Sequence, residues 1–213
     1  MKLMIATPSP YARKVRVALL EKRLPFEEII DVPWDPATET VTFNPLGKVP
    51  VLITDDDGVF YDSRVILDYL ETLGREPALL PTDDAARIQV YQLEALADGI
   101  CDAGVLTILE QRRDVARQSD DWLVRQHQKI ERGLKALNDH LNNRMDGAEW
   151  FVGAAITRAD IAIACTLAYL DLRLPEVAWR YHCTVLVRFS DAMEARPSFR
   201  ATRPVAQEIP TVK

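Results

Sequence analysis

At 213 residues, with 48% apolar and 27% charged side chains, the chain is long enough to bury one large core or two smaller ones, which excludes a disordered polypeptide. Its 26 Lys plus Arg stand against 32 Asp plus Glu, a formal net charge of −6, so there is no overall basic field to gather nucleic acid or an anionic membrane. The three cysteines, Cys101, Cys165 and Cys183, are odd in number, far apart and in no Cys-x-x-Cys, which argues against a disulfide framework or a zinc site and fits a reducing cytoplasm. Met1 leads directly into the strand-type run KLMIA, so no secretion or myristoylation signal is expected. The longest apolar run, IAIACTLAYL from Ile161 to Leu170, is too short to span a bilayer.

In chain order, KLMIA predicts a buried strand that ends in the turn TPSP. A helix follows: Ser9 is an N-cap residue type, Pro10 suits the first helical position, and Tyr11, Val15, Ala18 and Leu19 share one face. The Ser9 hydroxyl then sits at a strand-to-helix junction, where it either caps the helix or helps hold an anion. Lys14 and Arg16 read as solvated charges on the outer face, while Arg13 is open between that role and a contribution to positive potential. FEEII is a second strand-type run. Trp34 in DVPWDP either walls a ligand pocket or packs under a Pro-rich loop.

VPVLIT and GVFYD flank the acidic turn DDDG and predict a hairpin. Asp62 and Ser63 then precede a helix with an apolar face of Ile66, Tyr69, Leu70 and Leu73, closed by Gly74. That helix start carries a carboxylate and a hydroxyl. It serves either as an ordinary cap or as a grip on a zwitterionic amino-acid group, with Asp62 holding the ammonium and Ser63 and backbone N–H groups the carboxylate. After Gly74 strand patterns stop: GREPALLPTDDAAR reads as a connection, and long helical patterns follow. The expected organisation is a small α/β domain over 1–78, a linker over 79–84 and an all-helical domain over 85–213.

Within the helical half, Trp122, Gln126, Ile130, Leu134, Leu137 and Leu141 recur at spacings of three and four, an amphipathic helix. ALADGICDAGVL places Asp98, Cys101 and Asp102 at helical spacing, with Gly99 and Gly104 expected to allow close approach. His127, His140 and His182 are scattered without acidic partners, so neither a metal site nor a Ser-His-Asp triad is expected. Cys183, next to His182, reads as core packing.

Three motifs together resemble the cytosolic glutathione transferase superfamily: Ser9-Pro10-Tyr11-x-Arg13-Lys14-Val15 after the first strand, Asn44-Pro45-x-Gly47-Lys48-Val49-Pro50-Val51-Leu52, and Asp62-Ser63 before a helix. The likeness spans essentially the whole chain and implies a thioredoxin-like first domain, an all-helical second domain that contributes an electrophile pocket, and a homodimer. Ser9-Pro10-Tyr11-Ala12 resembles the Cys-Pro-Tyr-Cys of glutaredoxins with both sulfurs replaced, so disulfide exchange is not expected. By the same resemblance, Ser9 donates to the sulfur of glutathione, the cosubstrate, and Val49 offers its backbone to the cysteinyl unit beside a cis Pro50. Lys48 meets the glycine carboxylate, and Asp62 with Ser63 grips the γ-glutamyl end.

Thr7 and Tyr11 stand close enough to Ser9 to be rival donors, and Asp102 is a candidate contact across a dimer. GAAITRADIAIACTLAYL resembles the superfamily's buried helix, with Thr157 and Asp160 as a capping box and Ile156 and Ile161 as a hydrophobic staple. The implied activity is addition of the glutathione thiolate to a small hydrophobic electrophile in the cytoplasm, without metal, membrane or nucleic acid. A non-catalytic glutathione-binding regulator and a glutathione-dependent isomerase or dehalogenase are the alternatives.

Overall fold

A computed structural model describes residues 1–144 and 149–207. The chain divides into two compact units: Met1–Leu80 joined by the segment that starts at Pro197, and Pro81–Arg196. The expected helical domain therefore ends sooner than 213. Helix α8 (Pro197–Ala201) packs on the first unit because Arg13, only 2% exposed, donates to the Phe199 carbonyl at 3.1 Å and lies over the Phe199 ring. The last residues of that expected domain, 208–213, lie outside the described residues. Of the expected linker, Leu79 is buried and its N–H donates to Glu71, so the chain stays packed on the first unit as far as Leu80.

The first unit is a thioredoxin-like α/β layer. Strands β1 (Lys2–Ile5), β2 (Glu27–Ile30), β3 (Val51–Ile53) and β4 (Val59–Phe60) form one sheet in the order β2-β1-β3-β4. β1 and β2 run parallel, with Ile5 opposite Ile30; β3 lies antiparallel to β1 with Val51 opposite Met4; β4 returns beside β3 with Phe60 opposite Leu52. The turn between β3 and β4 places Asp57 at φ 63°. Helices α1 (Pro10–Glu21) and α3 (Ser63–Thr72) pack against each other, with a short α2 (Thr40–Phe43) between them in sequence that periodicity did not announce.

Val15, Ala18 and Leu19 are fully buried, as their spacing requires, but so are Ala12 and Val17, so α1 is covered on more than one face. This overturns the reading of its charges: Lys14 is 1% exposed, and Arg16 is held by Glu28 at 2.7 Å instead of standing in solvent. On α3, Ile66, Leu67 and Leu70 are buried, and Gly74 at φ 62° closes the helix.

The second unit is helical: α4 (Asp84–Gln111), α5 (Asp120–Asn142), α6 (Arg158–Arg173) and α7 (Thr184–Glu194). α4 packs against α5 and α6. On α5, Gln126, Ile130, Leu134, Leu137 and Leu141 are all buried, and Trp122 is left 38% exposed. Of the two glycines expected to permit close packing, only Gly104 does: a Cβ there would lie 3.1 Å from Tyr169, whereas Gly99 faces open space. Gly133 on α5 is the tighter point, since a Cβ would come within 2.5 Å of Ile100.

At the start of α6, Asp160 accepts the Thr157 N–H at 2.8 Å and the Thr157 hydroxyl at 2.6 Å, the expected capping box, between the buried Ile156 and Ile161. It also accepts the Phe151 N–H at 2.9 Å, which ties in the segment before the helix. Burial pushes the Asp160 carboxyl up while those donors work against it. Glu94 and Arg158, each 1% exposed, pair at 2.6 Å between α4 and α6, with the Arg158 guanidinium over the Tyr91 ring. Both charges are out of water, so removing either partner strands the other.

Candidate functional site

Strand register gathers the singled-out residues of the first unit at one end of the sheet. β1 runs into the turn Ala6–Ser9, and its last residues stand beside the start of β3, just after Val49 and Pro50. β4 runs antiparallel to β3, so its end, followed by Tyr61 and Asp62, returns to the same place. β2, parallel to β1, also ends there, and the Asp31 N–H donates to the Ile5 carbonyl at 2.8 Å. The carboxyl end of paired parallel strands, flanked by the N-termini of helices, is where open α/β sheets take ligands.

Ser9 caps α1: its Oγ accepts the Ala12 N–H at 3.2 Å, and its carbonyl accepts the Arg13 N–H at 3.0 Å. The capping reading is therefore correct as far as it goes. It does not consume the hydroxyl proton, because in that bond the oxygen is the acceptor. Pro10 has no N–H, and those of Ala12 and Arg13 are already engaged, so the Ser9 O–H is one of the donors this helix start offers, beside the groups of Tyr11. Of its rivals, Thr7 spends its proton elsewhere, donating to the Val205 carbonyl at 3.0 Å.

Val49–Pro50 is a cis peptide, with Pro50 buried and Lys48 exposed ahead of it. Asn44, 2% exposed, shapes this approach: its Nδ2 donates to the Lys48 carbonyl at 2.8 Å, its Oδ1 accepts the Leu46 N–H at 3.0 Å, and Gly47 takes φ 59° to complete the turn. Sequence reading quoted Asn44 but assigned it no task; the Asn-Pro-x-Gly pattern of a side-chain-stabilised turn was the available signal.

Asp62 is the N-cap of α3, accepting the Arg64 N–H at 3.0 Å, and Ser63 is the first helical residue, 3% exposed. The Arg64 guanidinium stands 3.4 Å from the Asp62 carboxylate, a neighbour sequence reading passed over. Burial works to raise the Asp62 carboxyl, but the Arg64 N–H and the Arg64 charge outweigh it and hold the group below the usual carboxylate range. A lasting anion beside a cation at a helix start suits both halves of a zwitterion.

Beyond β2, Asp31 orders the loop that carries Trp34: its carboxylate accepts from the Thr38 hydroxyl at 2.7 Å and from the Thr40 N–H and hydroxyl at 2.9 and 2.6 Å. Burial tends to raise this carboxyl, but these bonds hold it low. Trp34 is 51% exposed, so it does not pack under its loop.

In the second unit Asp102 is exposed on α4, and Cys183 is buried, its thiol pushed up by burial and by Asp139. Cys101 and Cys165 are also buried thiols. No group of His, Cys, Asp and Glu suited to a metal ion occurs among the described residues, and among them no helix is long and apolar enough to cross a membrane.

Comparison with known proteins agrees with this layout. Residues 8–73 match the model of the glutathione S-transferase N-terminal domain, and residues 109–201 that of the C-terminal domain. A glutathione S-transferase from Methylobacterium radiotolerans, solved in complex with glutathione sulfonate, is 47% identical with a TM-score of 0.94, over 100% of this chain and 98% of that one. A second, from Methylobacillus flagellatus with glutathione bound, is 43% identical with a TM-score of 0.89, over 96% of this chain and 99% of that one. The uncharacterised GST-like protein YibF of Escherichia coli is 40% identical over 96% of this chain and 98% of its own length. By sequence and by fold, the chain belongs to the glutathione S-transferase family.

Proposed function

We propose that the chain binds glutathione at this sheet end, ionises its thiol and transfers the thiolate to a small hydrophobic electrophile. In this reading Asp62 takes the γ-glutamyl ammonium, Ser63 and Arg64 take its carboxylate, the Val49 backbone beside Pro50 aligns the cysteinyl unit, and Lys48 meets the glycine carboxylate. Ser9 donates its hydroxyl proton to the sulfur. The observation that carries the reading is that Ser9 caps α1 through its oxygen and keeps its proton to give, at the sheet end that also bears Asp62 and Val49–Pro50.

The energetics are within reach of these groups. A free thiol with a pKa of about 8.5 is only a few per cent ionised at neutral pH, and lowering it by two units requires about 2.7 kcal/mol. A hydrogen bond to a charged group supplies about 1.5–3 kcal/mol and a helix N-terminus about 0.3–1 kcal/mol. The thiol proton leaves to solvent, and the sulfur lone pair forms the new carbon–sulfur bond as the electrophile accepts the electrons or expels its leaving group.

Titration calorimetry with glutathione tests the reading, using Asp62→Asn because asparagine still caps α3 while losing the charge. Affinity should fall by about 2–3 kcal/mol. Unchanged affinity would reduce Asp62 to a helix cap. A panel of aryl halides, epoxides and enones assayed with glutathione then separates a transferase from a glutathione-binding regulator, which would bind and turn over none of them.

A further inference from the structure

We propose that the segment Pro204–Gln207 is a strap that positions the Ser9 turn for thiolate formation, an inference that rests on the glutathione reading above. The segment follows α8, and α8 with the residues after it runs antiparallel to α1, as three anchor points show. The Ser198 hydroxyl donates to Glu21 at the far end of α1 at 2.5 Å. Phe199 and Thr202 take the Arg13 guanidinium near its start, at 3.1 and 3.5 Å. Val205 then reaches Thr7, two residues before Ser9: the Thr7 hydroxyl donates to the Val205 carbonyl at 3.0 Å and the Val205 N–H to the Thr7 carbonyl at 3.5 Å. Finally the Gln207 side-chain amide donates to the Asp31 carbonyl at 3.3 Å.

These contacts fall on the two strand ends that frame the site. Thr7 lies inside the turn that the Ser9 N–H closes on the Ala6 carbonyl at 3.0 Å, and Asp31 is joined to the end of β1 through Ile5. The segment thus ties the end of β1 to the end of β2. Val205 is 61% exposed, so it adds little core, and water can replace its bonds at small cost to stability. What water cannot replace is the fixed direction of the turn, on which the aim of the Ser9 hydroxyl depends. A misaimed donor loses strength steeply with angle.

The test is made in the full chain with the combined variant Pro204→Gly, Val205→Gly and Gln207→Ala, which loosens the strap and leaves Thr7 and Ser9 intact, and with Gln207→Ala alone should the first not fold. Amide hydrogen exchange at Ser9 and Asp31 reads the turn, and the ultraviolet titration of bound glutathione reads the thiolate. Faster exchange at both amides is expected, together with a rise of about one unit in the thiol titration, an about threefold loss of thiolate at pH 7 if the bound thiol starts about two units below its free value, with a nearly unchanged thermal midpoint. Gln207→Ala alone should shift both in the same direction by less. Unchanged exchange overturns the strap outright, and faster exchange with an unmoved titration overturns its role in the site. A shift with Thr7→Val but none with the tail variants would assign the effect to Thr7 acting on the sulfur, and also overturn it. Absence of glutathione binding by the unaltered chain is a separate result: it removes the site reading and the strap's functional role together, while the exchange data still report on the turn.

Discussion

Replacing Ser9 by alanine removes the α1 cap and, in the site proposed above, the donor to the glutathione sulfur, and each loss has its own readout. The Ala12 N–H loses the Oγ acceptor now 3.2 Å away, a lost N-cap that costs about 1 kcal/mol and lowers the thermal midpoint by about 2–4 °C for a chain of this size. The sulfur of bound glutathione loses its hydroxyl donor, a charge-assisted bond of about 1.5–3 kcal/mol, which raises the thiol pKa by about one to two units. Because the proposed site holds the γ-glutamyl and glycyl ends through other residues, glutathione affinity should stay within about tenfold. Conjugation at pH 7 should fall by about three- to twenty-fivefold, the loss of thiolate expected when the bound pKa rises from about 6.5, and the deficit should close by about pH 10, where any thiol is ionised. The assays are differential scanning calorimetry, the thiolate absorbance of bound glutathione against pH, and the conjugation rate over the same range. A lower midpoint with an unmoved titration and rate would leave Ser9 as a cap and transfer the activation to another donor.

Ser9→Cys places a sulfur at the start of α1 and should favour a mixed disulfide with glutathione, read as an intact-mass increase after treatment with oxidised glutathione; no adduct would mean that the bound thiol does not reach this position. Asp160→Ala leaves the N–H groups of Phe151 and Thr157 buried without their acceptor, at about 1–3 kcal/mol each, so the midpoint should drop well beyond that of Ser9→Ala while the thiol titration of bound glutathione stays put. An acid whose folded pKa is depressed contributes above its ordinary value and is lost as pH falls through the lowered one. The Asp62 share of glutathione affinity should therefore be constant from pH 7 down to about its ordinary 3.8, and an Asp62-dependent step within that window would contradict the assigned shift. Ile88 on α4 and Val124 on α5 are 65% and 55% exposed, apolar surface that a second copy would cover, and light scattering should return the mass of a homodimer; a monomer mass would refute it.

The sequence alone determined what depends on local pattern. Ser9-Pro10 had to open a helix, since one side chain accepts the first-turn N–H and the other lacks an N–H to lose; Asp62-Ser63 and Thr157-x-x-Asp160 signalled their helix starts for the same reason. The stop in strand patterns after Gly74 separated an α/β region from a helical one, and the order of three short motifs marked the family. The tertiary structure decided whatever depends on partners distant in the chain. Lys14 reads as solvent-facing until the packing around α1 buries it, and Gly99 and Gly104 look alike until Tyr169 comes to lie against only one of them. Arg13 finds its partners 186 and 189 residues away, and Thr7 finds its own 198 residues away, so nothing in the spacing near Ser9 could announce that the C-terminal segment returns to hold its turn. Local capping is settled by side chains within one turn of helix, whereas the turn before Ser9 is held by contacts that form only when Val205 and Gln207 return to it.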